Sequence, residues 1–218
     1  MQRPLPLLLA LAGLVAAGHA QDIVGEFPVP AVPEGNPLTP EKVLLGKALF
    51  FEEQLSSDDS MACATCHGFE AGGGDPRAAG RHPGADGRMG TKDDEFGSFG
   101  VVQRGQDGKP LAHAVFGTER QVTARASPSV VNAAFFNVQL WDTRALPSFK
   151  DEQGVVVLRE LGALENQAVG PILSPAEMGH VGRTWSEVCA KLAGARPLAL
   201  ASELPAALKE FVGTAEIY

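Results

Sequence analysis

Cys63-Ala64-Thr65-Cys66-His67 constrains this chain more than any other stretch. It is C-x-x-C-H, the attachment pattern of a c-type haem. Two cysteines three apart can each form a thioether to one haem vinyl group. The histidine after the second cysteine then lies under the ring and supplies a nitrogen ligand to the iron. A structural zinc would need a second Cys/His pair, and the remaining cysteine, Cys189, stands alone. A redox dithiol would have no use for His67. The reading is therefore one covalent haem c, with Cys63 and Cys66 binding it and His67 as the metal ligand. The motif leaves open whether that haem carries electrons or does chemistry.

Met1-Gln2-Arg3 is followed by an apolar run from Leu5 to Ala17 and then Gly18-His19-Ala20. A basic start, a short apolar stretch and small residues at the last and third-last positions describe a secretory signal peptide over 1–20, hence a periplasmic address. No other stretch approaches the length of a membrane span. Removing residues 1–20 leaves 198 residues with 17 basic and 26 acidic side chains. An acidic surface argues against nucleic acid and for a basic partner such as a small electron carrier. Cys189 is expected to pack as a small apolar residue.

Residues 21–38 are Pro-rich and aperiodic and read as an extended arm. Thr39-Pro40-Glu41 starts a helix, with Thr39 as N-cap and Leu44, Ala48 and Phe51 on its apolar face. Residues 68–124 form a long Gly- and charge-rich connection, and a loop of that length is functional or disordered. Val155 to Leu158 fits a short strand or an extended segment. Ser174-Pro175-Ala176-Glu177 and Thr184-Trp185-Ser186-Glu187 both fit the S/T-x-x-E capping box and predict helix starts. Ser202 opens a further helix through Leu204, Leu208 and Phe211. The expected fold is mostly α, with long irregular loops around a haem.

Several blocks in order resemble the bacterial di-haem cytochrome c peroxidases and their relatives that oxidise protein side chains. These are Leu45 to Phe51, Leu55-Ser56, the haem motif, Gly72-Gly73, Arg125-Ala126-Ser127-Pro128-Ser129, Gln139 to Arg144, and Gly170-Pro171-Ile172 through Glu177-Met178. The resemblance runs from about residue 38 to the end. It implies a cytochrome-c-like haem domain over 39–218, corresponding to the first, peroxidatic domain of a two-haem protein. It also implies that the chain stops before the second haem domain, as a fragment or with that haem on another polypeptide.

The resemblance assigns roles residue by residue. Glu177 corresponds to the glutamate over the peroxidatic iron, where a carboxylate moves a proton between the two peroxide oxygens. The competing reading makes Glu177 the N3 residue of the Ser174 capping box. Trp141 corresponds to a tryptophan between the haems that relays electrons; the competing reading is a buried aromatic at a domain edge. Arg144 and Lys47 are candidates to pair with propionates. Candidates opposite His67 on the iron are His82, His113, His180, Met61, Met89 and Met178. Three features depart from the family: Glu53-Gln54 stands where Asp-Pro-Arg is common, Ala126 replaces an asparagine near an inter-domain calcium, and the 74–124 loop is longer. Asp86 to Asp94 has the look of a calcium-binding turn, but it does not fit D-x-[DN]-x-[DN]-G and reads first as a solvated acidic turn. The expected function is reduction of hydrogen peroxide with electrons from a small donor such as a cytochrome c or a cupredoxin. The alternatives are a mono-haem electron-transfer cytochrome and a relative that oxidises a protein substrate.

Overall fold

The computed structural model describes residues 28–77 and 80–213. The expected leader, and residues 21–27 of the arm, lie outside the described residues. Residues from Ala31 onward belong to one compact unit. Within it, residues 31–38 run exposed or half-exposed around a turn at 34–36. Asn36 ties this arm to the body by donating from Nδ2 to Glu165 Oε1 at 2.9 Å.

Helix α1, Pro40–Phe50, starts as its residues dictate. Thr39 Oγ1 accepts from the Lys42 amide at 3.3 Å, and Pro40 occupies a position that needs no amide donor. Its inner face is narrower than expected: Ala48 is fully buried, whereas Phe51, just past the helix, is 44% exposed. Ala48 packs with Leu198 and Leu208. The four-residue helix α2, Cys63–Cys66, carries the haem motif, and Thr65 Oγ1 accepts from the Ala62 amide at 2.9 Å across its first turn.

The long connection after the motif is ordered by short strands. Strands β1, Gly80–His82, and β2, Glu95–Gly97, pair antiparallel with Arg81 opposite Phe96. Strands β3, Phe99–Val102, and β4, Arg120–Val122, form a second pair. Strands β5, Phe149–Lys150, and β6, Val156–Leu158, form a third, which settles all but Val155 of the Val155–Leu158 segment as strand. Among the described residues, three two-stranded sheets stand beside five α-helices, so the expected mostly α fold holds only in part and the content is mixed.

The helix expected from Ser174 is absent. Helix α3, Ala163–Leu173, lies before it, and Ser174 is its C-cap. Gly170-Pro171 hid α3 in the sequence, since proline inside a helix normally breaks it. Here Pro171 falls in the last turn and the helix ends two residues later. Helix α4, Trp185–Ala193, obeys its capping box: Thr184 Oγ1 accepts from the Glu187 amide and Glu187 Oε2 accepts from the Thr184 amide. Helix α5, Ala206–Val212, starts after its N-cap Pro205 rather than from Ser202. Proline disfavours helical conformation in the residue before it.

The main core draws one or two residues from each segment: Leu55, Met61, Val101, Ile172, Met178 and Val188. Cys66 packs against that core from α2. Cys189 does not pack; it is exposed, one residue past buried Val188 and therefore on the outer face of α4. That corrects its expected role as a small apolar filler.

Candidate active site around His67 and Glu177

His67 follows α2 directly, and its amide donates to Cys63 O at 3.0 Å. Its Nδ1 lies 3.0 Å from Pro128 O and 3.2 Å from Gly73 O. A carbonyl oxygen only accepts, so Nδ1 carries the proton and Nε2 keeps its lone pair. Three blocks distant in sequence thus meet on one imidazole. Gly73 allows this by adopting φ +82°. A Cβ there would sit 3.1 Å from the Val130 amide nitrogen and from the Ser129 hydroxyl oxygen. The Val130 amide donates to Gly73 O at 3.0 Å, and Ser129 Oγ donates to Gly72 O at 2.5 Å.

Neither motif cysteine is in a disulfide. Burial pushes the Cys63 thiol up to about 11. Burial also raises Cys66, against the pull of the nearby Arg77 guanidinium. Arg77 Nη2 lies 3.1 Å from Cys66 Sγ and also donates to Asp75 Oδ2 and Phe99 O, each at 2.7 Å. Arg77 Nη1 is buried without a partner. Sequence reading missed this arginine. Its signal was an Asp-Pro-Arg run at 75–77, where none was sought.

Glu177 stands on a turn, not at a helix start. Its amide donates to Ser174 O at 3.1 Å, as does that of Met178. The carboxylate caps nothing, and among the described residues it has no hydrogen-bond or ion-pair partner, which removes the capping-box reading. Main-chain contacts hold the turn on two sides. The Val101 amide donates to Ala176 O at 3.2 Å, and the Ser57 amide donates to Met178 O at 2.8 Å. Buried Gln121 donates from Nε2 to Pro175 O at 2.7 Å. The Glu177 charge is close enough to Cys66 to contribute to its raised pKa.

Trp141 is placed apart from these groups. It is 80% exposed, which excludes a buried structural aromatic. Arg125 lies over its ring, 4.6 Å from the centroid. Arg125 and Arg144 both bind Asp142 Oδ2, the latter at 2.8 Å. The Arg125 hydrogen bond, seconded by Arg144, holds the Asp142 carboxyl down at about 2. Arg144 is thus already paired, while Lys47 makes no ion pair among the described residues.

The residues that could supply a second ligand to a haem iron have these surroundings. His82 Nδ1 accepts from the Gly84 amide at 3.2 Å, and His113 Nδ1 accepts from the Val115 amide at 3.1 Å. In the neutral form each therefore carries its proton on Nε2, and both rings pack on Phe116. His180 Nε2 lies 3.7 Å from Glu187 Oε1. Met61 and Met178 are core residues, and Met89 is exposed on the acidic loop. In that loop the carboxylates serve the chain itself: Asp93 Oδ2 accepts from the Asp86 amide at 3.0 Å and Asp94 Oδ2 from the Gly90 amide at 2.7 Å. No group of three His, Cys, Asp or Glu among the described residues is placed to hold a metal ion.

The residues present fit a covalent haem. Two cysteines outside any disulfide share one helical turn, and the adjacent imidazole has its Nδ1 proton fixed so that Nε2 is a ready ligand.

A family model for di-haem cytochrome c peroxidase matches residues 40–204, and the chain belongs to that family. It is 31% identical over 170 residues to the methylamine utilization protein MauG of Methylophilus methylotrophus, covering 78% of this chain and 35% of that protein. It is 29% identical to the cytochrome c peroxidase Ccp of Escherichia coli K12, over 76% of this chain and 24% of that one. The MauG protein of Methylorubrum extorquens is 35% identical over 67% of this chain and 27% of its own length. The chain therefore spans about a third or less of these relatives. No helix among the described residues is long and apolar enough to cross a membrane.

Proposed function

We propose that this chain is the peroxidatic haem domain of a periplasmic c-type peroxidase. Cys63 and Cys66 would hold the haem and His67 Nε2 would ligate its iron. Bound there, the haem supplies the redox chemistry by which hydrogen peroxide, two protons and two electrons become two waters. His67 keeps a fixed orientation through Nδ1. A Glu177 carboxylate oxygen takes a proton from one peroxide oxygen and returns it to the other. Electrons from a small carrier protein, or from a second haem domain, enter past Trp141. The observation that carries this reading is the Glu177 carboxylate, half-buried beside Cys66, without a partner, on a turn fixed by main-chain bonds from two sides.

The test is Glu177→Gln in the haem-loaded protein. Peroxide turnover should fall by about 100-fold or more, with the haem absorption spectrum retained. Near-normal turnover would remove Glu177 from the mechanism. A low-spin spectrum inert to peroxide would favour the electron-carrier reading instead. The exposure of Trp141 favours a second reading, in which the oxidised substrate is a protein. Peroxide-dependent modification of a partner protein, without oxidation of a small carrier, would select it.

A further inference from the structure

A pocket of about 410 Å³ lies away from the haem motif, lined among others by Asp58, Arg104, His180, Arg183, Glu187 and Lys191. Arg183 is its most unusual wall. The residue is 7% exposed, yet no carboxylate lies within ion-pair distance among the described residues. Its Nη1 donates to Leu55 O at 2.7 Å and Ile172 O at 2.9 Å, with Met178 O at 3.4 Å. Among the described residues its Nε and Nη2 take no protein partner, and they are not among the sealed, unpartnered atoms. The Nε–Nη2 edge is therefore free, and it is the edge that binds oxyanions through two parallel hydrogen bonds.

The other cations around the pocket are each paired with one carboxylate but keep N–H donors to spare. Arg104 Nε lies 3.4 Å from Asp58 Oδ2, and Lys191 Nζ lies 2.5 Å from Asp59 Oδ1. Glu187 Oε2 accepts from the Thr184 amide at 2.7 Å while Oε1 faces His180. His180, also nine-tenths buried, has an Nδ1 without a partner. Burial of Arg183 disfavours its charged form. Glu187 and Asp59 act on Arg183 only from beyond ion-pair distance, so an anion in direct contact would further offset the cost of burying that cation.

We propose that this pocket binds an oxyanion of the phosphate class, held edge-on by Arg183, with Arg104 and Lys191 adding positive charge from the turn after β3 and from α4. Cations on three separate elements suit an anion with more than two acceptor oxygens better than a lone carboxylate. The binding chemistry proposed here draws on none of Cys63, Cys66, His67 or Glu177, so its test stands apart from that of the haem-centred reading.

The test is calorimetric titration of the haem-loaded full chain with inorganic phosphate, at constant ionic strength in chloride. Saturable one-to-one binding is expected, with acetate at least about tenfold weaker. Arg183→Lys should abolish the binding, but that variant also loses three main-chain contacts. Gln106→Glu and Arg104→Gln therefore accompany it as rim variants, since Gln106 also lines the pocket and is exposed. Each should weaken phosphate about tenfold with the haem spectrum and unfolding transition unchanged. Absence of saturable binding, unchanged affinity in both rim variants, or acetate binding as tightly as phosphate would each overturn the proposal. Tighter binding of glycerol 3-phosphate would support it and identify a phosphorylated small molecule as the ligand; equal or weaker binding would support free phosphate.

Discussion

At the scale of single residues, the site depends on two side chains that hold others in place. Arg77 puts a permanent positive charge 3.1 Å from Cys66 Sγ and shares it with Asp75. A cation beside a redox centre favours the reduced, more negative state. In the haem-loaded protein, Arg77→Gln should therefore lower the midpoint potential by tens of millivolts, on the order of the roughly 59 mV that one pK unit represents for a one-electron couple. A redox titration reads the shift directly, and an unmoved potential would reduce Arg77 to a loop fastener. Asp142 is the second case. Its folded pKa of about 2 is depressed below the ordinary value of 3.8, first by Arg125. A depressed carboxylate stabilises the fold above its unfolded pKa and loses that contribution as pH falls through the folded value. Asp142→Asn should thus be less stable than the parent near neutrality. Denaturation midpoints of the two proteins should converge as pH drops from about 4 towards 2.

At the scale of elements, the turn bearing Glu177 rests on β3. An added Cβ on Gly100 would fall 1.7 Å from Ala176 O, a main-chain atom that cannot rotate away. Gly100→Ala should push the turn off the strand, break the Val101–Ala176 hydrogen bond and cost about 1–3 kcal/mol or more. Peroxide turnover should fall with it. Gly46→Ala is the control: it lies in α1 with nothing within 4 Å of the new methyl group, so it should stabilise the chain by about 0.5–1 kcal/mol. Thermal unfolding of the two variants decides between a packing effect and a general intolerance of alanine. The same turn separates what is legible in the residues from what is not. Helices α1 and α4 were readable because Thr39 and Thr184 cap their own amides, within four residues. Helix α3 was not, because the breaker Gly170-Pro171 sits where its last turn tolerates it. The convergence of Pro128 O and Gly73 O on His67 spans 61 and 6 residues. The longer contact leaves no local signature, and the family resemblance named those blocks without saying that they touch. Arg77 escaped for a similar reason, since only the fold brings it to Cys66.

At the scale of the whole molecule, the question is how electrons reach the site. Residues 131–146 expose Val131, Phe135, Phe136, Trp141 and Leu146 by 48–80%. Gln139 holds the segment together by donating from Nε2 to Ala133 O at 2.8 Å and Phe136 O at 3.0 Å. Exposed apolar side chains along one segment support the proposed entry of electrons past Trp141. The Arg125–Asp142–Arg144 cluster fixes polar groups beside Trp141 and holds a guanidinium over its ring. If electrons enter here, Trp141→Ala separates supply from chemistry. Removing an exposed ring should change stability by no more than about 1 kcal/mol, chiefly the lost Arg125 contact. A single peroxide reaction of the pre-reduced haem-loaded protein, followed by stopped flow, should proceed at the parent rate. Steady turnover with a small carrier protein as donor should fall about tenfold or more, corresponding to at least 1.4 kcal/mol of added barrier. Equal losses in both assays would place Trp141 in the chemistry itself, and unchanged turnover would move electron entry to another face.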